Sequence, residues 1–249
     1  MDEEIRALAA AVSARLVEQG AKATLLTGSH ARGHARPDSD IDIFAVGDGP
    51  SGWMELVDSR LVAVYWWSPE EIRRRMLNPE EALLAVRSWR EGALLDDPTG
   101  VGAELQREAR EWTWNKIERE ADAWVADKLV VWAEYVQKLA RAVESGRRLD
   151  AAALRAQLAV QLSELIAVRR RLMEQSENGF WETVAEAGGS EWRDALGRAL
   201  GLHGEEPAAA GAVELFRLVT EEARDLLDER QRAVVEHALA AAQGLSGNE

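Results

Sequence analysis

Residues 25–46 read LLTGSHARGHARPDSDIDIFAV, and no other stretch narrows the possible folds as much. Two apolar runs of strand length bracket a Gly-Ser pair, two arginines and three aspartates. The first run ends directly in Gly28 and Ser29, and HARG follows as a short helix. HARPDS then turns the chain into a second strand that begins at Asp40. The two-residue period of a strand puts Asp40 and Asp42 on one face and Ile41 and Ile43 on the other.

That arrangement carries chemistry. Where a strand hands over to a helix, unpaired backbone N–H groups and the helix dipole point at whatever lies ahead, a setting that suits phosphate. Two carboxylates on one strand face repel each other unless a cation sits between them. Oxygen ligands of this hardness select Mg²⁺ or Mn²⁺, ions that complete their shells with water and substrate phosphate. An isolated Asp-x-Asp is usually a solvated edge strand, and an isolated Gly-Ser is an ordinary turn. Found in this order between residues 28 and 42, each supplies what the other requires.

Composition excludes several classes. The chain has 249 residues and no cysteine, which removes disulfides and thiolate metal sites and leaves oxygen or imidazole to hold any metal. A formal charge of −14 argues against a broad surface for nucleic-acid backbone, so nucleic acid is not an expected partner. The longest apolar runs, such as LVAVYWW at 61–67, fall short of the roughly 20 residues that span a bilayer. The start, MDEEIRALAA, is acidic where a secretory signal is basic. These features predict a cytoplasmic protein with no membrane partner.

The expected fold class is α+β, a small mixed-sheet domain over 1–98 followed by an all-helical bundle over 99–249. Up to about residue 98, helix and strand patterns alternate: an amphipathic helix over 3–19, then strands KATLLT, DIDIFAV and RLVAVYWW. Ser68-Pro69 with Glu71, and Asn78-Pro79, read as helix starts. The cluster DDPTG at 96–100 marks the boundary. Beyond it, apolar residues at 117, 121, 124, 125, 129–132, 135, 136 and 139 predict one long or kinked helix over 103–145. A second helix follows from 151 to about 176, then a shorter element with a Gly-Gly stop. A helix capped by Ser190 and a last helical pair over 209–243 complete the bundle.

TGSHARGHARPDSDIDIFAV resembles the signature of the DNA polymerase β-type nucleotidyltransferase superfamily: a Gly-Ser, a short helix with Ala-Arg-Gly, then Ser-Asp-x-Asp on a strand. The helical second half resembles, in layout, the aminoglycoside nucleotidyltransferases. The resemblance implies a nucleotide site of Gly28, Ser29, Arg32, Gly33 and Ser39, with Asp40 and Asp42 as metal ligands. It implies Mg²⁺ or Mn²⁺ as cofactor, and ATP or another NTP as donor. A hydroxyl of a small, aminoglycoside-like molecule would attack the α-phosphorus in line, with pyrophosphate leaving. The alternative it implies is a non-catalytic, antitoxin-like nucleotide-binding regulator.

One departure stands out. Members of the family carry a third carboxylate on a neighbouring strand, where RLVAVYWW offers apolar Val62 and Val64. Asp58 or Glu55, just before that strand, are one source of a replacement. The helical segment KIEREADAW, with Glu118, Glu120 and Asp122, is another, and Glu120 is the expected catalytic base.

Trp66, Trp67, Trp89, Trp112 and Trp114 either wall a stacking site or fill the core, and their spacing favours the core. His30 and His34 either touch phosphate or are solvated. The triple arginines at 73–75 and 169–171 read as solvated helix faces with salt-bridge partners. Tryptophan-rich helices also suit a homodimer interface. Arg232 and His237 show an Arg-x4-His spacing that is common by chance.

Overall fold

The computed structural model describes residues 3–173, 177–205 and 207–246. It separates into two compact units, Met1–Lys116 with Met173–Ser176, and Ile117–Leu172 with Glu177–Glu249.

The first unit is built on a five-stranded mixed sheet in the order β3-β4-β2-β1-β5. Its elements are α1 (Glu3–Glu18), β1 (Ala23–Leu26), α2 (Gly28–Arg32), β2 (Ile41–Val46), β3 (Gly52–Val57) and β4 (Arg60–Trp67). They continue with α3 (Pro69–Leu77), α4 (Pro79–Glu91), β5 (Ala93–Asp96) and α5 (Val101–Arg110). β2 pairs with β1 antiparallel and with β4 parallel, while β3 and β5 form the edges.

Strand alternation decides what each face buries. Ile41 and Ile43 pair with Val62 and Val64. All four are fully buried in one cluster with Ile5, Leu8, Val12 and Leu16 of α1, so α1 covers that face. On the opposite face Phe44 meets Trp67 and Trp89 at ring-centroid distances of 4.7 and 6.4 Å. The two expected caps form here: Ser68 accepts from the Glu71 N–H, and Asn78 from the N–H groups of Glu80 and Glu81.

β3 is an element the sequence reading lacked. It forms a hairpin with β4 through Asp58 and Ser59, both with positive φ, 48° and 64°. The expected single helix over 103–145 is in fact two, α5 and α6 (Glu118–Glu144). Trp112 and Trp114 interrupt it by burying their rings against each other at 5.1 Å. The Arg90 guanidinium donates to the carbonyls of Ala109 and Trp112 at the end of α5, satisfying acceptors that a continuous helix would have paired. The first unit extends past 98/99 because α5 lies on β1: a Cβ added at Gly102 would come within 2.9 Å of the Ala23 Cβ.

The second unit holds α6, α7 (Arg148–Arg169), α8 (Glu177–Ala199), α9 (Ala208–Glu222), α10 (Glu229–Ala241) and α11 (Gln243–Ser246). α8 breaks at Gly189, as the Gly-Gly stop predicts. α7 is by length and composition apolar enough to cross a membrane, with a mean hydropathy of 1.3. Its Leu158, Leu162, Leu165 and Ile166 are buried among the other helices, as in the core helix of a bundle. The arginines behave as expected: Arg169 pairs with Asp225 at 2.9 Å, Arg170 with Glu222 at 2.6 Å and Arg171 with Asp122 at 2.5 Å.

Candidate functional site

The site is built where β1 ends. The Thr27 N–H donates to the Asp42 carbonyl at 2.9 Å, carrying the β1–β2 ladder one residue beyond the strand. Gly28 then takes φ +69°, a left-handed conformation that strains any residue with a Cβ. Space forbids a side chain there as well. A Cβ at Gly28 would lie 2.2 Å from the Asp42 carboxylate oxygen Oδ2. The glycine therefore lets the second strand aspartate close directly onto the turn.

α2 starts at Gly28, earlier than HARG suggests, and it runs only to Arg32. Thr27, its N-cap, makes no side-chain cap bond. Gly33 ends it at φ +77°, and the His34 N–H donates to the Ser29 carbonyl at 3.0 Å.

The loop that returns to β2 is stapled at three points. His30 is 6 % exposed, and its Nε2 lies 3.3 Å from the Ser39 carbonyl. A carbonyl only accepts, so Nε2 carries the proton. The Ser39 hydroxyl accepts from the Arg36 N–H at 2.9 Å, while the Ser39 N–H donates to the Arg36 carbonyl at 3.1 Å. The Arg60 guanidinium donates to the Pro37 carbonyl. His30 and Ser39, considered for phosphate contact, thus hold the loop that delivers Asp40. His34 and Gly33 are exposed, while Ser29, Arg32, Asp40 and Asp42 are half-buried.

Register settles which neighbours share the aspartates' face. Asp42 pairs with Ala63 of β4, and Ala63 pairs with Met54 of β3. By alternation Leu61, Leu56 and Tyr65 belong to the same face. Val62 and Val64, the positions expected to show a lost carboxylate, pair with Ile41 and Ile43 and point into the α1 core. The expectation chose the wrong face: the positions that flank the aspartates are Leu61 and Ala63, and both are apolar.

Glu55 pairs with Val62 and so faces α1, where Arg15 and the Trp53 indole N–H bind it. The Arg15 hydrogen bond holds the Glu55 carboxyl below its ordinary value against the upward push of burial. Asp58 is exposed at the hairpin tip. In the second unit Asp122 is engaged by Arg171 at 2.5 Å and Arg169 at 3.9 Å. Glu120 is exposed in the first turn of α6, where the helix dipole favours an acid. Among the described residues, no three His, Asp or Glu side chains gather as a metal-binding group.

The tryptophans resolve as core. Trp66, Trp89, Trp112 and Trp114 are all buried. Trp67 is half-buried, stacks on Tyr65 at 5.6 Å and carries Arg75 at 4.6 Å from its ring centroid.

The family model for the nucleotidyltransferase domain matches residues 6–148, more than half of the sequence, and the chain belongs to that family. A solved structure of a nucleotidyltransferase-like protein from Exiguobacterium sibiricum shares the fold, with a TM-score of 0.50 at 12 % identity over 93 % of this chain and 77 % of that one. No curated protein matches the sequence.

Proposed function

We propose that the first unit binds an NTP, with ATP the expected donor, and transfers its nucleoside monophosphate to a hydroxyl of a small molecule. The observation that carries this reading is the apposition of Gly28 and Asp42, a cradle that one added carbon would fill. It joins a phosphate turn to a carboxylate pair, and neither half explains the other's residues alone.

In this reading Gly28 and Ser29 hold the β- and γ-phosphates, with Arg32 beside them to balance charge. Asp40 and Asp42 fit Mg²⁺ or Mn²⁺, since they offer hard oxygen donors on one strand face and leave further positions to phosphate and water. A bound cation of this kind supplies charge neutralisation at the attacking and leaving oxygens. The acceptor oxygen forms a bond to the α-phosphorus as the bond to pyrophosphate breaks, and the hydroxyl proton passes to a base. The aspartates' sheet face presents Leu61, Ala63, Met54 and Leu56 rather than a third acid, so the base comes from outside it; Glu120 is the sequence's candidate. An aminoglycoside-like acceptor fits the acidic balance of the chain, and the cytoplasm fits a donor such as ATP.

The apolar face also supports a second reading, a nucleotide-binding regulator without turnover. Purified protein with Mg²⁺, labelled ATP and a panel of aminoglycosides and proteins separates the two. Transfer predicts release of pyrophosphate and a labelled acceptor. Binding of ATP without any release would leave the regulatory reading standing alone.

A further inference from the structure

Between α4 and the sheet, on the face that carries the aspartates but farther along β2, lies a cavity of about 220 Å³. Phe44, Trp67, Ile72, Leu84 and Trp89 make its apolar wall, with Ser88 set among them. Neither Asp40 nor Asp42 lines it. We propose that this cavity is a second small-molecule site, one that takes a neutral planar ring of one or two fused cycles bearing a single hydrogen-bonding group.

Size comes first. An apolar cavity on the order of 150 Å³ takes a benzene ring in a well-studied case, so this one admits a substituted ring or a fused pair. Its walls are already fixed. Phe44 meets Trp67 edge-on at 76°, Trp67 stacks on Tyr65 at 17°, and Arg75 covers the Trp67 ring. A ligand therefore enters aromatic surroundings that need little ordering.

Polarity comes next. Ser88 is 3 % exposed and lines the cavity, and no described residue pairs with its hydroxyl, which opens toward the cavity. A hydroxyl so placed can donate to or accept from one ligand group.

Charge is disfavoured by the rim. Arg75 is engaged by Glu71 at 3.1 Å and by Glu81 at 2.9 Å, and Glu81 is also engaged by Arg74 at 2.8 Å. Glu80 likewise has a partner. The rim charges are thus paired with one another, which favours a neutral ligand, while Arg75 Nε and Glu81 Oε2 stay without a hydrogen bond and can also meet its polar group.

The test uses 4-fluorophenol and fluorobenzene as probes, followed by ¹⁹F NMR titration of the full chain. Saturable one-site binding of 4-fluorophenol with a Kd on the order of 1 mM or tighter is expected for a ligand of this size. Ala85→Phe, which fills the cavity, should weaken it at least tenfold. Ser88→Ala should weaken 4-fluorophenol about fivefold and leave fluorobenzene unchanged, because only the phenol bonds the hydroxyl. The paired Asp40→Asn, Asp42→Asn variant should bind as wild type does, which keeps this site's outcome separate from that of nucleotide transfer. The proposal is overturned by absence of saturable binding to the wild type, or by undiminished binding to an Ala85→Phe protein that still melts cooperatively. Should Ala85→Phe not fold, equal losses of both probes in Ser88→Ala would overturn it as well.

Discussion

Replacing Gly28 by alanine probes the cradle directly. Two effects combine. The backbone at φ +69° is left-handed, and placing a Cβ there costs about 1–2 kcal/mol, partly offset by the smaller unfolded-state entropy of alanine, about 0.4–1 kcal/mol. The net backbone effect is about 1 kcal/mol, or roughly 2–4 °C in melting temperature for a chain of this size. The second effect is steric. The new methyl carbon would stand 2.2 Å from Asp42 Oδ2. Relief to an ordinary carbon–oxygen contact requires the carboxylate to retreat by about 1 Å. A displacement of about 1 Å in a positioned group lowers turnover by about a hundredfold.

Gly28→Ala should therefore lose far more pyrophosphate release than stability. The second arm repeats the substitution in an Asp42→Ala background, where the obstructing carboxylate is gone. There the melting temperature should fall by the backbone part only, so the two substitutions couple in a double-mutant cycle. Wild-type turnover in Gly28→Ala, or an identical stability loss in both backgrounds, would refute the geometry.

Other outcomes follow from the same structure. Glu55→Gln should leave nucleotide transfer within twofold of wild type, since Glu55 binds Arg15 on the α1 face, and should lower stability by about 0.2–1 kcal/mol in chemical denaturation. Leu61→Asp sets a third carboxylate beside Asp40 and should tighten Mn²⁺ binding measured by electron paramagnetic resonance; unchanged binding would disprove the face assignment. Glu120→Gln should lower kcat by about a hundredfold without weakening ATP binding if it carries the acceptor's proton, as read from initial rates. Glu108 is held below its ordinary carboxyl value of 4.5, first by its hydrogen bond from Arg73, while burial pushes it up. A lowered folded value means stability that is complete above about 4.5 and lost as pH falls through the folded value. The stability gap between wild type and Glu108→Gln, about 0.2–1 kcal/mol at neutral pH, should therefore close in acid denaturation curves below pH 4.

The segment from Gly28 to Asp42 was legible because its signals are local: a strand period, a glycine at a turn, and cap residues such as Ser68 and Asn78 that bond as their spacing requires. β3 was not legible. Its hairpin turns through Asp58 and Ser59, which adopt positive φ without the Asn-Gly or Asp-Gly pair that announces such a turn. The face of β4 was misread for a related reason. Alternation tells which residues of one strand lie together, whereas pairing Asp42 with Ala63 rather than Val62 is a matter of register between strands. The break between α5 and α6 is hidden because Leu105, Ala109 and Trp112 before it and Trp114, Ile117 and Ala121 after it each recur at helical spacing, while the burial of both tryptophans and the Arg90 bonds beside them close a turn. Ser39 is expected in the site and His30 is left open between phosphate and solvent, because their loop-stapling roles depend on contacts between residues nine and three positions apart that no pattern encodes.

In the proposed reading the Gly28 turn and the Asp40–Asp42 pair form one nucleotide and metal site. Pyrophosphate release from ATP by the Asp40→Asn, Asp42→Asn double variant, with its melting curve recorded alongside, tests this most directly. Turnover should fall at least a thousandfold below wild type, with a melting temperature close to wild type, since relief of the like-charge pair offsets the lost contacts. A folded double variant that releases pyrophosphate at the wild-type rate would contradict it.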